Sequence, residues 1–123
     1  MNVALLVAAG LAVILAVAHS YLGERYILVR LFRREDLPKL LGGAEFTKAT
    51  LRFAWHLTSV AWLGFAALLV RFGVPTSGAD PSPTQLIAAT FLISGVAAFV
   101  GSRGRHLSWI VFFAIGGLAW YGG

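Results

Sequence analysis

Four apolar runs, about Val3 to Ala18, Phe53 to Val70, Leu86 to Val100 and Leu107 to Tyr121, alternate with polar stretches along the chain. Each is near the lower limit of the roughly 17 to 25 residues that a helix needs to cross a hydrocarbon core. None shows the period-two alternation of a membrane barrel strand. Lipid offers no partner to backbone N–H and C=O groups, so continuous runs of this kind must be helices. The pattern predicts an all-α, polytopic membrane protein, a four-transmembrane-helix antiparallel bundle forming one domain over residues 1–123. Spans are expected at about 1–19, 53–71, 85–101 and 106–121, with longer loops at 20–52 and 72–84. Spans this short stand nearly upright or thin the bilayer around them.

Composition agrees with the pattern. The 123 residues are 59% hydrophobic and 12% charged, with a mean hydropathy of +0.81, far from the mix of a soluble domain. Ala16-Val17-Ala18 mimics a small-residue cleavage site. Met1 and Asn2 supply no positive charge ahead of the run, so it reads as a retained helix rather than a signal peptide. The chain has no cysteine, which excludes disulfides, thiolate metal sites and thiol nucleophiles.

Charge sets the expected orientation. Of ten Lys and Arg residues, Arg25, Arg30, Arg33, Arg34, Lys39, Lys48 and Arg52 lie between the first two runs, and Arg103 and Arg105 between the last two. Only Arg71 borders the other loop, so the positive-inside rule puts the first and third loops in the cytoplasm and both termini outside it. A bacterial inner membrane is the expected location. The opposite loop, rich in Gly, Pro, Ser and Thr around Asp80, reads as a turn.

The first loop is basic and amphipathic. Tyr21 to Arg34 mixes Leu22, Tyr26, Ile27, Val29, Leu31 and Phe32 with four arginines at near-helical spacing, so it continues the first helix or lies in the interface. Pro38 and Gly42-Gly43 break it, and Ala44 to Arg52 reads as a short helix leading into the second span. Such a collar anchors a bundle on anionic headgroups. A specific anionic ligand on the same arginines is the alternative.

The three histidines, His19, His56 and His106, each sit where an apolar run meets a basic loop, and the topology puts all three on one membrane face. Helical spacing sets Arg52, His56, Ser59 and Leu63 on one stripe, with the polar members facing protein rather than lipid. Three imidazoles and a carboxylate suit a divalent transition metal. Glu24 is the candidate fourth ligand, although five positions from His19 is about 140° around a helix, so both reach one ion only if the helix breaks near Gly23. No H-x-x-x-H, E-x-x-H or H-E-x-x-H pair is present. A haem b held by two of the histidines, with Arg52 and Arg103 on the propionates, is a second reading. A proton-sensing or relay role is a third. In the blandest reading the histidines are interfacial residues beside Trp55 and Trp109.

Aligning the second run on the fourth sets His56-Leu57-Thr58 over His106-Leu107-Ser108, which would make two helical hairpins related by an axis along the membrane normal. Small residues at four-residue spacing, Ala8, Ala12 and Ala16 and again Ser94, Ala98 and Ser102, mark close helix packing. No catalytic motif is seen: paired carboxylates in a span are absent, and Ser59 and Ser108 lack an orienting acid. The expected function is therefore a small membrane protein with a site of His19, His56, His106 and Glu24, assisted by Ser59, Arg52, Arg103 and Arg105. It binds a metal for transport, sensing or redox use, or else haem, or else it is a non-catalytic accessory or assembly subunit. Expected partners are anionic lipid, a second copy of the chain or a membrane subunit, and no nucleic acid.

Overall fold

The computed structural model describes residues 1–78 and 80–122. Ala79, within the expected loop 72–84, and Gly123 lie outside the described residues. All regular elements are helical: α1 (Val3–Leu22), a π-helical stretch (Gly23–Leu28), α2 (Val29–Leu31), α3 (Glu45–Gly73), α4 (Pro83–Ser102) and α5 (Ser108–Gly122). The Asn2 side chain accepts the Leu5 N–H at the start of α1. Ser82 and Gln85 cap α4 reciprocally, with Pro83 in its first turn.

The helices outrun the apolar segments. Val3–Leu31 is one rod of 29 residues, and α3 is also 29 residues long. At about 1.5 Å per residue such a rod measures about 43 Å, against a hydrocarbon core of about 30 Å. These two rods and α4 are long and apolar enough to cross a membrane, whereas α5 is shorter. The expected spans 1–19 and 53–71 are thus only the apolar middles of longer helices. Of the expected loop 20–52, only residues 32–44 lie outside the helices. Eleven of the other twenty residues are Leu, Arg, Glu, Lys or Ala, good helix formers that let a helix run on past the apolar segment.

The 32–44 segment is held by local bonds. Leu40 and Gly43 exchange backbone hydrogen bonds of 3.0 and 3.3 Å across Leu41 and Gly42, whose φ angles are 53° and 92°. The Thr47 hydroxyl donates to the Pro38 carbonyl at 2.7 Å. Arg34 donates to both carboxylate oxygens of Asp36, at 2.8 and 2.6 Å. That hydrogen bonding holds the Asp36 carboxyl below its usual range and the Arg34 guanidinium above its own.

Consecutive helices pack antiparallel. The Asn2 N–H donates to the Gly73 carbonyl at 2.7 Å, joining the start of α1 to the end of α3. Arg71 in α3 donates to Pro81, just before α4, at 2.9 Å, and Trp109 in α5 meets Phe99 in α4 edge to face at 5.2 Å. Helix α1 packs on α3, α3 on α4 and α4 on α5; among the described residues α1 packs on neither α4 nor α5, and α3 does not pack on α5. Among the described residues the antiparallel helices form an open row, each packed on its chain neighbour, with no central core shared by all of them. Lipid tails are as apolar as leucine, so nothing drives such helices to enclose one, and close backbone approach decides which faces meet.

Residue size records this. Ala16, Ala88 and Ala98 are at most 1% exposed, while Leu11, Ile14 and Val17 are each more than 60% exposed. Ser94, Ala98 and Ser102 are buried as the spacing predicts; in α1 the buried alanines are Ala9 and Ala16 rather than Ala8 and Ala12. A methyl added at Gly64 would stand 2.5 Å from Thr90 Oγ1, and one added at Gly101 2.6 Å from Phe53 Cβ, whereas at Gly10 it would meet nothing within 4 Å. Gly64→Ala and Gly101→Ala are therefore each expected to lose about 1–3 kcal/mol to overpacking. Gly10→Ala is expected to gain up to about 1 kcal/mol from helix propensity. Equilibrium unfolding in detergent separates these signs.

Candidate functional site

Ala16, Ser20, Glu24 and Leu28 recur at four-residue spacing. In an α-helix that spacing drifts by about 40° per step, which would carry Leu28 well away from the face that Ala16 presents. Ala16 and Leu28 are nevertheless both buried, at 1% and 2% exposure. The π-helical stretch from Gly23, whose wider turn holds more residues, absorbs the drift and keeps the face on α3.

Gly23 makes room there for Trp55. A Cβ on Gly23 would lie 2.0 Å from the indole Nε1, so only glycine lets the ring seat there. The indole N–H donates to the His19 carbonyl at 3.0 Å, and the Gly23 N–H is shared between the His19 and Ser20 carbonyls. The His19 ring stacks on the indole, 4.5 Å between centroids and 3° from parallel. Its Nε2 is 3.3 Å from the Trp55 carbonyl, and Trp62 covers it edge-on at 4.9 Å.

Facing this segment, Arg52, His56 and Ser59 share one side of α3, and a continuous polar chain results. Arg52 forks onto Glu24, with Nη2–Oε1 at 3.0 Å and Nε–Oε2 at 3.3 Å. His56 Nε2 is 3.2 Å from the same Oε2, and its Nδ1 is 2.9 Å from Ser20 Oγ. Ser20 donates to Ser59 Oγ at 2.7 Å, and Ser59 donates to the Ala16 carbonyl at 3.0 Å. Ser59 is buried and Glu24, His56 and Ser20 are half-buried. The order Ser20–His56–Glu24 resembles a nucleophile, base and acid, but the Ser20 hydroxyl spends its proton on Ser59 and lies closed between two side chains.

His106 is occupied elsewhere. Its ring lies 5.3 Å from Phe53 and 6.2 Å from Phe46, and its Nδ1 accepts the Ser108 N–H at 3.4 Å, capping α5. The equivalence of His56 and His106 suggested by the sequence echo therefore ends at their partners. Of the expected ligand set, the structure brings together His56 and Glu24, with Arg52 and Ser59 beside them. His19 and His106 turn to aromatic neighbours, and among the described residues no three His, Asp or Glu side chains are grouped to hold a metal ion.

Arg103 and Arg105 border a different feature. A cavity of about 640 Å³ opens between α3 and the end of α4, and Lys48, Arg52, His56, Arg103 and Arg105 line it with a single carboxylate, Glu45. Arg103 ends α4 in the left-handed conformation, φ 52° and ψ 41°, which costs an L-residue about 1–2 kcal/mol that glycine would not incur.

Ser20 and Trp55 are the functional positions that the sequence reading passed over. The readable signal was helical spacing: Ser20 and Glu24 are four apart on one helix, as Arg52 and His56 are on the next. Compared with protein-family models, curated proteins and solved structures, the chain matches none.

Ser59→Ala is expected to cost about 1–3 kcal/mol, because the Ser20 proton loses its acceptor in a half-buried site. Thr58→Ala removes an exposed hydroxyl bonded at 3.5 Å to the Ala54 carbonyl and is expected to stay within about 0.5 kcal/mol. Paired unfolding curves decide.

Proposed function

We propose that this is an integral membrane protein that takes up and releases a proton at His56, with its basic end in the cytoplasm as the Lys and Arg excess directs. The observation that carries this reading is the unbroken run of polar contacts from Glu24 to the Ala16 carbonyl. Four contacts link Glu24 to the Ala16 carbonyl through His56, Ser20 and Ser59. A neutral imidazole and two hydroxyls supply only three protons. With Ser20 and Ser59 donating inward, both His56 nitrogens need a hydrogen, so the arrangement is complete only with an imidazolium.

The groups around His56 fix which nitrogen exchanges. Glu24 faces it from the π-helical stretch, with Arg52 from its own helix neutralising the carboxylate; Lys48, Arg103 and Arg105 stand around the cavity on its other side. A carboxylate oxygen at Nε2 requires Nε2–H, so the exchanging proton is the one on Nδ1. When it leaves, the Ser20 hydroxyl turns to Nδ1, the Ser59 hydroxyl turns to Ser20, and Ala16 keeps only its bond within the helix. The chain ends on that carbonyl. A proton is therefore held at this site and reported to the α1–α3 contact, not carried across the membrane.

Nitrogen-15 NMR of the imidazoles, assigned with His19→Gln and His106→Gln variants, tests this between about pH 5 and pH 8, where histidines exchange protons. Expected is an Nδ1 resonance of His56 that changes with pH while Nε2 stays protonated. An Nε2 that loses its proton, or a His56 in one neutral form throughout, rejects the reading. Glu24→Gln is expected to populate both neutral tautomers, because an amide accepts or donates where the carboxylate only accepts.

A further inference from the structure

The cavity at the basic end is not used by the proton chain beyond the His56 and Arg52 that border both. We infer that it is a binding site for a phosphate group. Four permanent cations, Lys48, Arg52, Arg103 and Arg105, are met by two carboxylates: Glu45, on Lys48 at 3.3 Å, and Glu24, on Arg52. The surplus of two positive charges becomes three when His56 is protonated. Among the described residues Arg103 and Arg105 have no carboxylate partner. Arg103 and Arg105, both exposed, line the same cavity, and arginine forks suit the several oxygens of a phosphate.

The backbone supports a ligand role for Arg103. Its left-handed conformation is one in which glycine would cost less, and Gly104 follows with φ 75°. Arg103 holds this unfavourable backbone position and lines the cavity. The walls show where a phosphate can come from. Phe32, Phe46 and Phe53 form an apolar side, and Val100, which also lines the cavity, is 67% exposed on the outer face of α4. A site lined by cations and by apolar side chains, one of them exposed, admits a phospholipid headgroup from the bilayer or a free phosphate from water. The recognised chemistry is the same for both.

Phosphorus-31 NMR on the full chain in discs of phosphatidylcholine tests this with two probes, inorganic phosphate added to the buffer and phosphatidic acid mixed into the disc. Expected is a bound signal from at least one, with affinity falling about tenfold or more in the Arg103→Gly/Arg105→Gln variant. A lipid-only response assigns the site to headgroups, and a response to inorganic phosphate assigns it to soluble phosphate. No bound signal from either probe, or the same affinity in the variant, overturns the inference. Arg103→Gly alone relieves the backbone and is expected to hold or raise the melting temperature while weakening binding, so a lost signal cannot be put down to misfolding. Neither arginine belongs to the Glu24–His56 chain, so failure here leaves the proton reading standing, and the reverse also holds.

Discussion

The basic end of this protein depends on how closely Trp55 lies against Gly23. The indole occupies the space where any other residue would place its Cβ, takes the His19 carbonyl with its N–H, and provides the flat surface on which the His19 ring stacks. At this point the first helix widens into its π-helical turn. The widening keeps a four-residue pattern in step with a neighbour that an ordinary helix would leave within two turns. Glu24 reaches Arg52 and His56 because of it.

The same rod combines two kinds of contact. Its apolar middle meets α3 through alanines, where dispersion between close backbones supplies the attraction and no polar group is needed. Near the basic end the two helices are joined by hydroxyls, an imidazole and a carboxylate, whose energies depend on where each proton sits. Each member of that polar chain has its partner within hydrogen-bond distance, so changing one disturbs the next. That end of the helix pair is therefore tied by hydrogen bonds, whereas the alanine contact rests on close packing alone.

Much of the fold was legible because lipid-facing helices leave a plain record in hydropathy. The ends were legible in part: Tyr21 to Arg34 read as continuing helix or interface and Ala44 to Arg52 as helix leading into the second run, and the chain is helical to Leu31 and again from Glu45. The row of helices was not. On a span apolar on every side, the packed and lipid-exposed faces differ in residue size more than in polarity, as Ala16 and Val17 do. At the site, Glu24, Arg52, His56 and Ser59 stood out as polar residues bordering apolar runs, and they do meet. His19 drew attention away from Ser20 beside it because an imidazole invites a ligand role, and only the stacking partner on α3 shows that His19 is turned to an aromatic ring.

The row has a consequence for how the molecule is made. Among the described residues each long helix packs on the one before it in the chain and on no earlier one, so no step has to wait for a distant segment to return and close a ring. Contacts of this sequential kind carry a small loop-closure cost. The α1–α3 hairpin, with its polar chain complete, can assemble before α4 has been synthesised. In a nascent chain the Glu24–His56 contacts therefore belong to the first half to form, and the cationic cavity comes into being only when the end of α4 arrives beside it.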